Sequence, residues 1–596
     1  MARRRFLLPV GVALFFLFFY YAWTGQDDRW TGLGGTTQDA SSGTGTADDD
    51  KNYFWRKLPT RYPVRGMKQF PRGTPAALPK IQATIEESEG EREVRLKRQQ
   101  AVKDAFQRCW ASYKAYSFGR DELAPLSGYS KDTFGGWGAT LVDSLDTLWI
   151  MSMRDEFEEA VVEATKINFQ KSSLHSVNTF ETTIRYLGGF LAAYDLSNDQ
   201  RLLRKAKEVG EMLYVAFDTP NRMPITRWDF NNAKKGRPQE AAESALVAEI
   251  GSLCMEFTRL SIITGDPRWY DATERIREVL ERQQRSTKVP GLWPITVYPN
   301  SLVFDADNTF TLGGMADSVF EYLPKMHALV GGLIPAYRSM YEHAMDAAIK
   351  HNLWRPMLPN SPDILVAGTV HVETRQGETD LYLEHQGQHL ACFAGGMLAL
   401  GGKLTNNREH LEAASRLVDG CIWTYEAMPL GIMPETFYMV SCESDKECVW
   451  DESLWKKGVL RAADEDDLTN MARADRIIAE KRLPKGFIII PDTRYILRPE
   501  AIESVFILYR ATGRKDLLES AWTMFEAIQK NTATKLANAA LADVTVDKNP
   551  PMEDSMESFW MGETLKYFYL IFSEPDLISL DEWVFNTEAH PFRRLV

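Results

Sequence analysis

The spacing of apolar and polar residues predicts a chain that is almost entirely helical from about residue 90 to its end. A charged stretch over 86–100 leads into an amphipathic one over 101–116, and further apolar helical stretches follow, separated by short turns. Strand-like alternation is scarce, and 486–490 and 366–370 are the main candidates for short hairpins. The pattern therefore predicts an all-α domain that begins near residue 93.

A loose repeat emerges when the helical stretches that begin at residues 181, 249, 500 and 557 are aligned. Each begins with an acidic residue, continues as an apolar helix and stops at a turn containing Gly or Ser, before a second helix. Repeats of this kind stack helical hairpins on one another. An open stack needs polar caps, whereas a closed ring does not. We therefore predict a closed toroid of helical hairpins, and the alternative is a large irregular helical domain.

The N-terminal residues indicate where the protein resides. Arg3, Arg4 and Arg5 precede an uncharged apolar run, 6–23, that is near the lower length limit for a bilayer span. Its aromatic end and the basic residues before it favour a cytoplasmic tail (1–5) and a signal anchor (6–23), with the rest in the lumen. A cleaved signal peptide is the competing interpretation. Residues 24–92 are rich in Gly, Ser, Thr, Asp and Pro, which predicts a flexible or extended stem before the domain at 93–596.

Composition and charge exclude several classes of function. The 596 residues are 44% apolar and 25% charged, as in ordinary globular proteins, and the formal net charge of −13 argues against a nucleic-acid partner. Six cysteines are too few for a disulfide scaffold and show no Cys-x-x-Cys zinc spacing. There is no phosphate-binding G-x-x-x-x-G-K-[ST] loop, and His385 and His389 lack the intervening Glu of a metalloprotease motif.

The strongest chemical signals are three carboxylates within apolar helical stretches: Glu181, Asp317 and Glu500. Acidic side chains are seldom buried without a partner or a task. For any one of them, a favourable charge at a helix N-terminus is a sufficient explanation. All three together, in one repeat register, are harder to explain in this way, and a pair of carboxylates is what glycoside hydrolysis needs. At this point the sequence leaves open which of them is the acid and how far apart they lie.

Several blocks along the chain resemble glycoside hydrolase family 47, the class I α-1,2-mannosidases. The resemblance covers about residues 95–596, and its blocks occur in the family's order: 136–148, 180–189, 316–318 with 321–323, 389–392, 497–504, 557–559 with 562–566, and 584–591. It implies an (αα)₇ barrel, which agrees with the toroid predicted from the repeat. It also implies an inverting exo-α-1,2-mannosidase that trims oligomannose N-glycans in the secretory pathway.

The resemblance assigns roles to individual residues. It makes Glu181 the general acid and places Asp317 and Glu500 around the nucleophilic water, with Glu500 as the favoured base. It implies a Ca²⁺ ion held directly by Thr587. Waters complete the coordination and are oriented by Glu249, Glu503, Glu563 and Glu588, an oxygen set that suits this hard cation. The implied substrate pocket contains Arg185, Met315, His389, Arg498 and Phe559.

Two further features bear on location and specificity. Family members of the ER type carry an arginine where this chain has Met315, so Met315 favours a Golgi-like, broader preference, with residence in the ER or the Golgi left open. Cys392 and Cys421 match the family's disulfide. Cys442 and Cys448 are candidates for a second bond, and Cys109 and Cys254 are predicted to be buried free thiols. The rival functions are a mannose-binding quality-control protein with little turnover and a helical scaffold.

Overall fold

The computed structural model describes residues 53–375, 378–443 and 448–596. The predicted cytoplasmic tail, the signal anchor and the first part of the stem lie outside these residues. Among the described residues, no helix combines the length and the apolar character needed to cross a bilayer.

Seven helical segments form an inner ring and are buried on nearly all sides. Each contacts the next around the ring, and the last contacts the first. A helix that is apolar all round must lie inside a domain, as these do. In chain order the segments are Ala139–Asp143 with Leu145–Ile150; Thr179–Glu181 continued by the π-helical Thr182–Leu187 and Gly188–Ser197; Val247–Gly251 with Cys254–Thr264; Asp317–Leu329; Phe393–Thr405; Glu500–Thr512; and the π-helical Trp560–Thr564 with Leu565–Ile571.

Seven outer helices cover this ring and are half exposed, with an apolar stripe turned inward. Six follow directly after their inner partners, and the first helix of the domain packs on Leu565–Ile571, which closes the barrel. The (αα)₇ barrel expected from the sequence is confirmed. The outer helices are Glu89–Tyr116, Arg154–Ala164, Gln200–Val215, Pro267–Gln283, Pro335–His351, Arg408–Ala427 and Asp516–Thr532.

Short antiparallel strands lie mostly in the connections that lead into an inner helix. They therefore gather at the end of the barrel where the inner helices begin. The pairings are Glu122–Leu123 with Ser130–Lys131, Val177–Asn178 with Arg227–Trp228, Ala245–Leu246 with Thr296–Val297, Leu353–Trp354 with Val366–Ala367, and two three-stranded sheets. These sheets comprise Thr309–Thr311, Thr369–Arg375 and Glu378–Glu384, and Gln386–Gln388, Thr436–Met439 and Phe487–Asp492. Shorter helices Phe230–Lys234, Glu452–Ala462 and Met471–Lys481 and 3₁₀ turns Trp55–Lys57 and Leu390–Cys392 complete the described elements.

Details of the predicted elements differ from the structure. The charged and amphipathic stretches before residue 117 form one helix, Glu89–Tyr116, started by a capping box between Ser88 and Glu91. The apolar run near residue 488 is not a hairpin by itself, because Phe487–Asp492 pairs with the distant Thr436–Met439. Such pairings have no signature in the local sequence.

The described part of the predicted stem lies against the barrel. Trp55 and Ile81 are buried, and the Trp55 indole nitrogen donates to the carbonyl of Phe169 at 3.2 Å. The amide of Ile81 donates to Asp581 at 2.6 Å. Contact with the folded domain therefore begins before residue 93, the boundary predicted from the sequence.

A C-terminal hairpin fills the interior of the ring. Trp583–Phe585 pairs with Pro591–Arg593, and these strands contact the inner helices Asp317–Leu329 and Gly188–Ser197. The hairpin follows the C-terminal end of the last inner helix, so its turn, residues 586–590, enters from the end opposite the strand-rich mouth. Gly188 makes room for it, because a Cβ there would lie 2.7 Å from the Asn586 amide nitrogen.

The inner and outer helices pack closely where Gly401 faces the ring of Tyr341, so a substitution at Gly401 tests this packing. A Cβ at this position would overlap the ring of the buried Tyr341 on the outer helix Pro335–His351, whereas a Cβ at Gly90 would meet nothing within 4 Å. We expect Gly401→Ala to lower the free energy of unfolding by about 1–3 kcal/mol, the usual cost of overpacking. Gly90→Ala is the control and should be neutral or slightly stabilising. Denaturant unfolding of both variants checks this, and equal midpoints would contradict it.

Candidate active site

The three predicted catalytic acids lie in the first turns of inner helices, at the same end of the ring. Asp317 and Glu500 are the first residues of their helices, and Glu181 ends the short turn Thr179–Glu181. The Asn178 side chain caps that turn by accepting from the amides of Phe180 and Glu181 at 3.0 and 3.3 Å. Because all the inner helices begin at this end, ring closure gathers the acids around one cavity.

Glu500 is held between two positively polarised groups. One carboxylate oxygen contacts His389 Nδ1 at 2.9 Å, and the other lies 3.4 Å from Arg498. His389 is fully buried, and its Nε2 is 2.7 Å from the Tyr425 hydroxyl. Burial acts to raise the pKa of Glu500, but the Arg498 charge and the His389 hydrogen bond outweigh it and hold the pKa below its ordinary value. Glu500 is therefore ionised near neutral pH.

Asp317 has the opposite tendency. Burial raises its pKa to about 7, and the charges of Glu321 and Glu500 act in the same direction, against the Ser318 amide, which donates at 2.8 Å. Two neighbouring carboxyl groups thus favour different protonation states, an arrangement typical of acid–base sites.

Arg185 connects Glu181 to the base of the cavity. Its Nε donates to Glu181 at 3.0 Å, and the rest of the guanidinium contacts Asp143, Ser558 and Glu588. Glu181 is 29% exposed while Arg185 is 7% exposed, so the carboxylate faces open space and its partner is buried beneath it.

The interior below these residues contains further buried acids with few cations. Lys325 contacts Glu321, Glu503 at 3.3 Å and the carbonyl of Asn586 at 3.4 Å. Burial raises the pKa of Glu503 to about 8 and raises that of Glu563 well above its usual range. The available cations therefore leave an excess of buried negative charge.

The turn of the C-terminal hairpin is tied to the ring by its own polar groups. The Asn586 side chain donates to the carbonyl of Ile184 at 3.0 Å and accepts from the amides of Glu588 and His590 at 2.9 and 2.8 Å. The Thr587 amide donates to the Tyr322 hydroxyl at 3.3 Å. These bonds place Thr587 and Glu588 at the base of the cavity.

The residues predicted to surround a cation supply only oxygen donors. Glu249 pairs with Arg227 at 2.5 Å, and burial raises its pKa. Within the described ranges, no group of three or more His, Cys, Asp or Glu side chains is arranged to hold a metal ion directly. The predicted arrangement places only Thr587 in direct contact with the ion.

The remaining predicted pocket residues lie beside these groups. Phe559 is buried next to Ser558, which contacts Arg185. Met315 lies two residues before Asp317 with a left-handed φ of 77°, and its carbonyl accepts from the Ala248 amide at 3.1 Å. Leu497 is also left-handed, with a φ of 71°, and precedes Arg498. Non-glycine residues rarely adopt this conformation, and such strain concentrates at functional sites.

Several residues of the site were missed by the sequence reasoning. Glu435 is buried and binds Arg498 at 2.5 Å, but it lies before a strand and not at a helix start. Asp143 and Asp146 were detectable by the rule that identified Glu181, since both lie in an apolar stretch. Asp146 pairs with Lys566 at 2.8 Å, a fully buried ion pair. The acids missed are Asp143 beside Arg185, Asp146 beside Lys566, Glu256 beside Asn586, Glu321 beside Lys325, Glu435 beside Arg498, Glu557 near Arg498 and Arg185, and Glu122 near Glu557.

The predictions for the six cysteines are confirmed. Cys392 and Cys421 form a disulfide, as the resemblance implied, and Cys442 and Cys448 form the second. Cys109 and Cys254 are buried free thiols. The first bond joins the start of the inner helix Phe393–Thr405 to its outer partner and so fixes the segment that carries His389.

Comparison with known proteins places this geometry in a family. Residues 105–594 match glycosyl hydrolase family 47. The chain is similar to mannosyl-oligosaccharide 1,2-alpha-mannosidase MNS1 of Arabidopsis thaliana, with 33% identity over 83% of this chain and 78% of the relative. It is 34% identical to the endoplasmic reticulum mannosyl-oligosaccharide 1,2-alpha-mannosidase of Homo sapiens, over 83% of this chain and 64% of the human protein.

A solved structure agrees with this. The alpha-1,2-mannosidase from Trichoderma reesei superposes with a TM-score of 0.71 and 31% identity, over 83% of this chain and 99% of the other. The chain belongs to glycosyl hydrolase family 47. It is a glycoside hydrolase, which agrees with the paired carboxylates of the cavity.

The raised pKa of Asp317 predicts a specific pH dependence of stability. A folded-state pKa near 7, above the unfolded value, gives a stabilisation that is complete at low pH and is lost as the pH rises through about 7. Asp317→Asn lacks this contribution. Its stability relative to wild type should therefore increase between about pH 5 and pH 8. Urea unfolding across this range, with a chelator present, checks the prediction. Asp155→Asn, at an exposed site, is the control, and parallel curves for wild type and Asp317→Asn would contradict it.

Proposed function

We propose that the protein is a Ca²⁺-dependent inverting exo-α-1,2-mannosidase that trims terminal mannose from oligomannose N-glycans in the secretory pathway. The observation that carries the proposal is the pairing of an ionised Glu500, held by His389 and Arg498, with a partly exposed Glu181 in the same cavity. The names of the relatives, which are 1,2-alpha-mannosidases, support the substrate class.

The proposed reaction uses one carboxyl group on each side of the scissile bond. Glu500 takes a proton from a water molecule, whose oxygen attacks the anomeric carbon. The bond from that carbon to the glycosidic oxygen breaks, and Glu181 gives its proton to the leaving oxygen. Attack by water from the face opposite the leaving group inverts the anomeric centre. The lowered pKa of Glu500 supports its role as the base, because a base must be ionised to accept a proton and this carboxyl group is ionised near neutral pH.

The surrounding residues have positioning roles in this proposal. Arg185 orients Glu181 through its 3.0 Å bond, and Glu435 holds Arg498 beside Glu500. His389 and Tyr425 fix the direction of the base. Phe559 supplies an apolar surface for the sugar ring, and Met315 lies on the rim next to Asp317, where its side chain acts on substrate preference.

The residues at the base of the cavity fit a hard cation. The carbonyl and hydroxyl oxygens of Thr587 would hold Ca²⁺, and Glu249, Glu503, Glu563 and Glu588 would orient its waters. The fit rests on an all-oxygen donor set and on carboxyl groups whose pKa values are raised by burial, against the partial effect of nearby Arg227, Lys325 and Arg185. The ion would supply orientation of the sugar hydroxyls and of the attacking water.

The proposed location is the Golgi or ER, with the domain in the lumen. A relative named for the endoplasmic reticulum supports the secretory pathway. The two disulfides support an oxidising compartment. The type II anchor at 6–23 remains part of this proposal, and N-terminal sequencing of the protein from the secretory pathway tests it against a cleaved signal peptide.

Substitution of the acid tests the reaction. We expect Glu181→Gln to reduce mannose release from an oligomannose N-glycan by roughly 10²–10⁴-fold, because the leaving oxygen loses its proton donor. Glu409→Gln, at an exposed acid in the first turn of an outer helix, should keep full activity. Quantified release of free mannose checks both. Wild-type protein that binds the glycan but releases no mannose would indicate the quality-control binding protein instead.

Substitution of the proposed cation ligand tests the metal site with a readout other than activity. Added Ca²⁺ should raise the thermal midpoint of the chelator-treated wild type, because a ligand that binds the folded state stabilises it. Thr587→Val loses the hydroxyl ligand and should bind Ca²⁺ roughly tenfold more weakly or worse. Thr587→Ser keeps the hydroxyl and is the matched control. Equal responses of the Val and Ser variants would contradict the assignment.

A further inference from the structure

A long β-hairpin stands beside the mouth of the barrel and has no part in the proposed chemistry. Its strands, Thr369–Arg375 and Glu378–Glu384, are antiparallel, and the first also pairs with Thr309–Thr311. Thr309–Thr311 leads directly into the helix that begins at Asp317. The hairpin is therefore anchored at the strand-rich end, where the inner helices carry their acids.

The two faces of the hairpin differ in character. Val370 and Val372 are 1% and 3% exposed and attach one face to the barrel. His371 and Tyr382 are cross-strand partners on the other face, with ring centroids 6.3 Å apart and an angle of 27° between their planes. Tyr382 is 55% exposed, so an aromatic ring is presented to solvent from a fixed sheet.

A chain of side-chain hydrogen bonds runs from this face to the cavity. His371 Nε2 and Glu384 lie 2.8 Å apart, and Glu384 accepts from the Tyr438 hydroxyl at 2.6 Å. Gln386 donates to Tyr438 at 2.5 Å and accepts from Gln388 at 2.7 Å. The Gln388 side-chain oxygen, Oε1, accepts from the backbone amide of Gly314 at 3.1 Å, next to Met315. The polar groups of the face are thus fixed relative to the rim that precedes Asp317.

We propose that this surface, formed by His371, Tyr382, Glu384, Gln386 and Tyr438 and called the hairpin face, is an outer subsite for the glycan. Its occupant is the set of mannose residues farther from the cleavage point on the same oligomannose chain. The inference rests on the proposed function and deepens it, because it names where the uncleaved part of the substrate binds.

The chemistry of the hairpin face fits a sugar. An exposed aromatic ring offers a flat apolar surface for the C–H side of a pyranose, and neighbouring amide, carboxylate and hydroxyl groups bond its hydroxyls. Such a mixture of one apolar surface and a few fixed polar groups is typical of ligand sites. The acidic charge of Glu384 does not repel an uncharged glycan. Continuity with the rim at Met315 selects the substrate's own distal residues as the occupant.

The test compares a long and a short substrate on the full chain. A full-length oligomannose N-glycan reaches the hairpin face, whereas the α-1,2-linked mannose disaccharide occupies only the cavity. We expect Tyr382→Ala to lower kcat/KM on the long glycan by roughly five- to tenfold, the usual value of one aromatic contact, and to leave the disaccharide unchanged. Tyr382→Phe keeps the ring and should retain most of the activity on the long glycan.

Leu381→Ala is the matched control, since Leu381 is the neighbouring residue, is 46% exposed and lies on the opposite face of the strand. It should leave both substrates unaffected. Equal kinetics of Tyr382→Ala and wild type on the long glycan, or equal losses on both substrates, would overturn the subsite. If wild type cleaves neither substrate, the proposed function fails by itself. Calorimetric binding of the long glycan then decides, because weaker binding by Tyr382→Ala than by Leu381→Ala supports the subsite and equal binding overturns it.

Discussion

The rest of the structure depends on balancing the negative charge that is buried inside the ring. A carboxylate removed from water is costly unless it is paired or hydrogen-bonded. Among the described residues, Arg498 pairs with Glu435 and Glu500 near the mouth, and three cations supply the pairing deeper inside. Arg185 joins Glu181 to Glu588, Lys325 joins Glu503 to the backbone of the C-terminal hairpin, and Lys566 joins Asp146 to the same hairpin. Each cation therefore connects an inner helix to residues distant in sequence, so the charge balance also holds the barrel closed.

This charge balance explains why residues near the C-terminus stabilise inner helices that are distant in the sequence. The turn at 586–590 is the counterpart of Lys325 and Lys566, and its Asn586 also bonds the backbone of Ile184. Without the turn, both lysines would lose a carbonyl partner in a place where water is scarce, at a cost of about 1–3 kcal/mol for each unsatisfied group. The ring and the cavity floor are thus stabilised by the same contacts, and the proposed cation would compensate the acids that the lysines leave unpaired.

The sequence predicted those parts of the molecule that repeat or that follow a helix period. Closure of the ring and the convergence of Glu181, Asp317 and Glu500 followed from acids at equivalent helix starts. The sequence pattern did not predict Glu435, because this residue lies before a strand whose partner, Phe487–Asp492, is some fifty residues away. The two π-helical segments were not predicted either, since one extra residue in a helical turn does not change the pattern of an apolar stretch. Long-range strand pairing and local helix irregularity are set by tertiary packing, to which single-sequence patterns are blind.

At the mouth of the cavity, the inner helices and the connections between them have different roles. The acids stand on first turns of helices that are packed on every side, so their directions are fixed by the core itself. The connections contain Met315, Leu497 and the strands beside them. Residues there are held by backbone hydrogen bonds, and Met315 and Leu497 adopt strained left-handed conformations. A change in a connection can alter the rim without disturbing a helix, whereas a change in a first turn disturbs the core. Variation in substrate preference within this fold is therefore expected in the connections, with the chemistry retained on the helices.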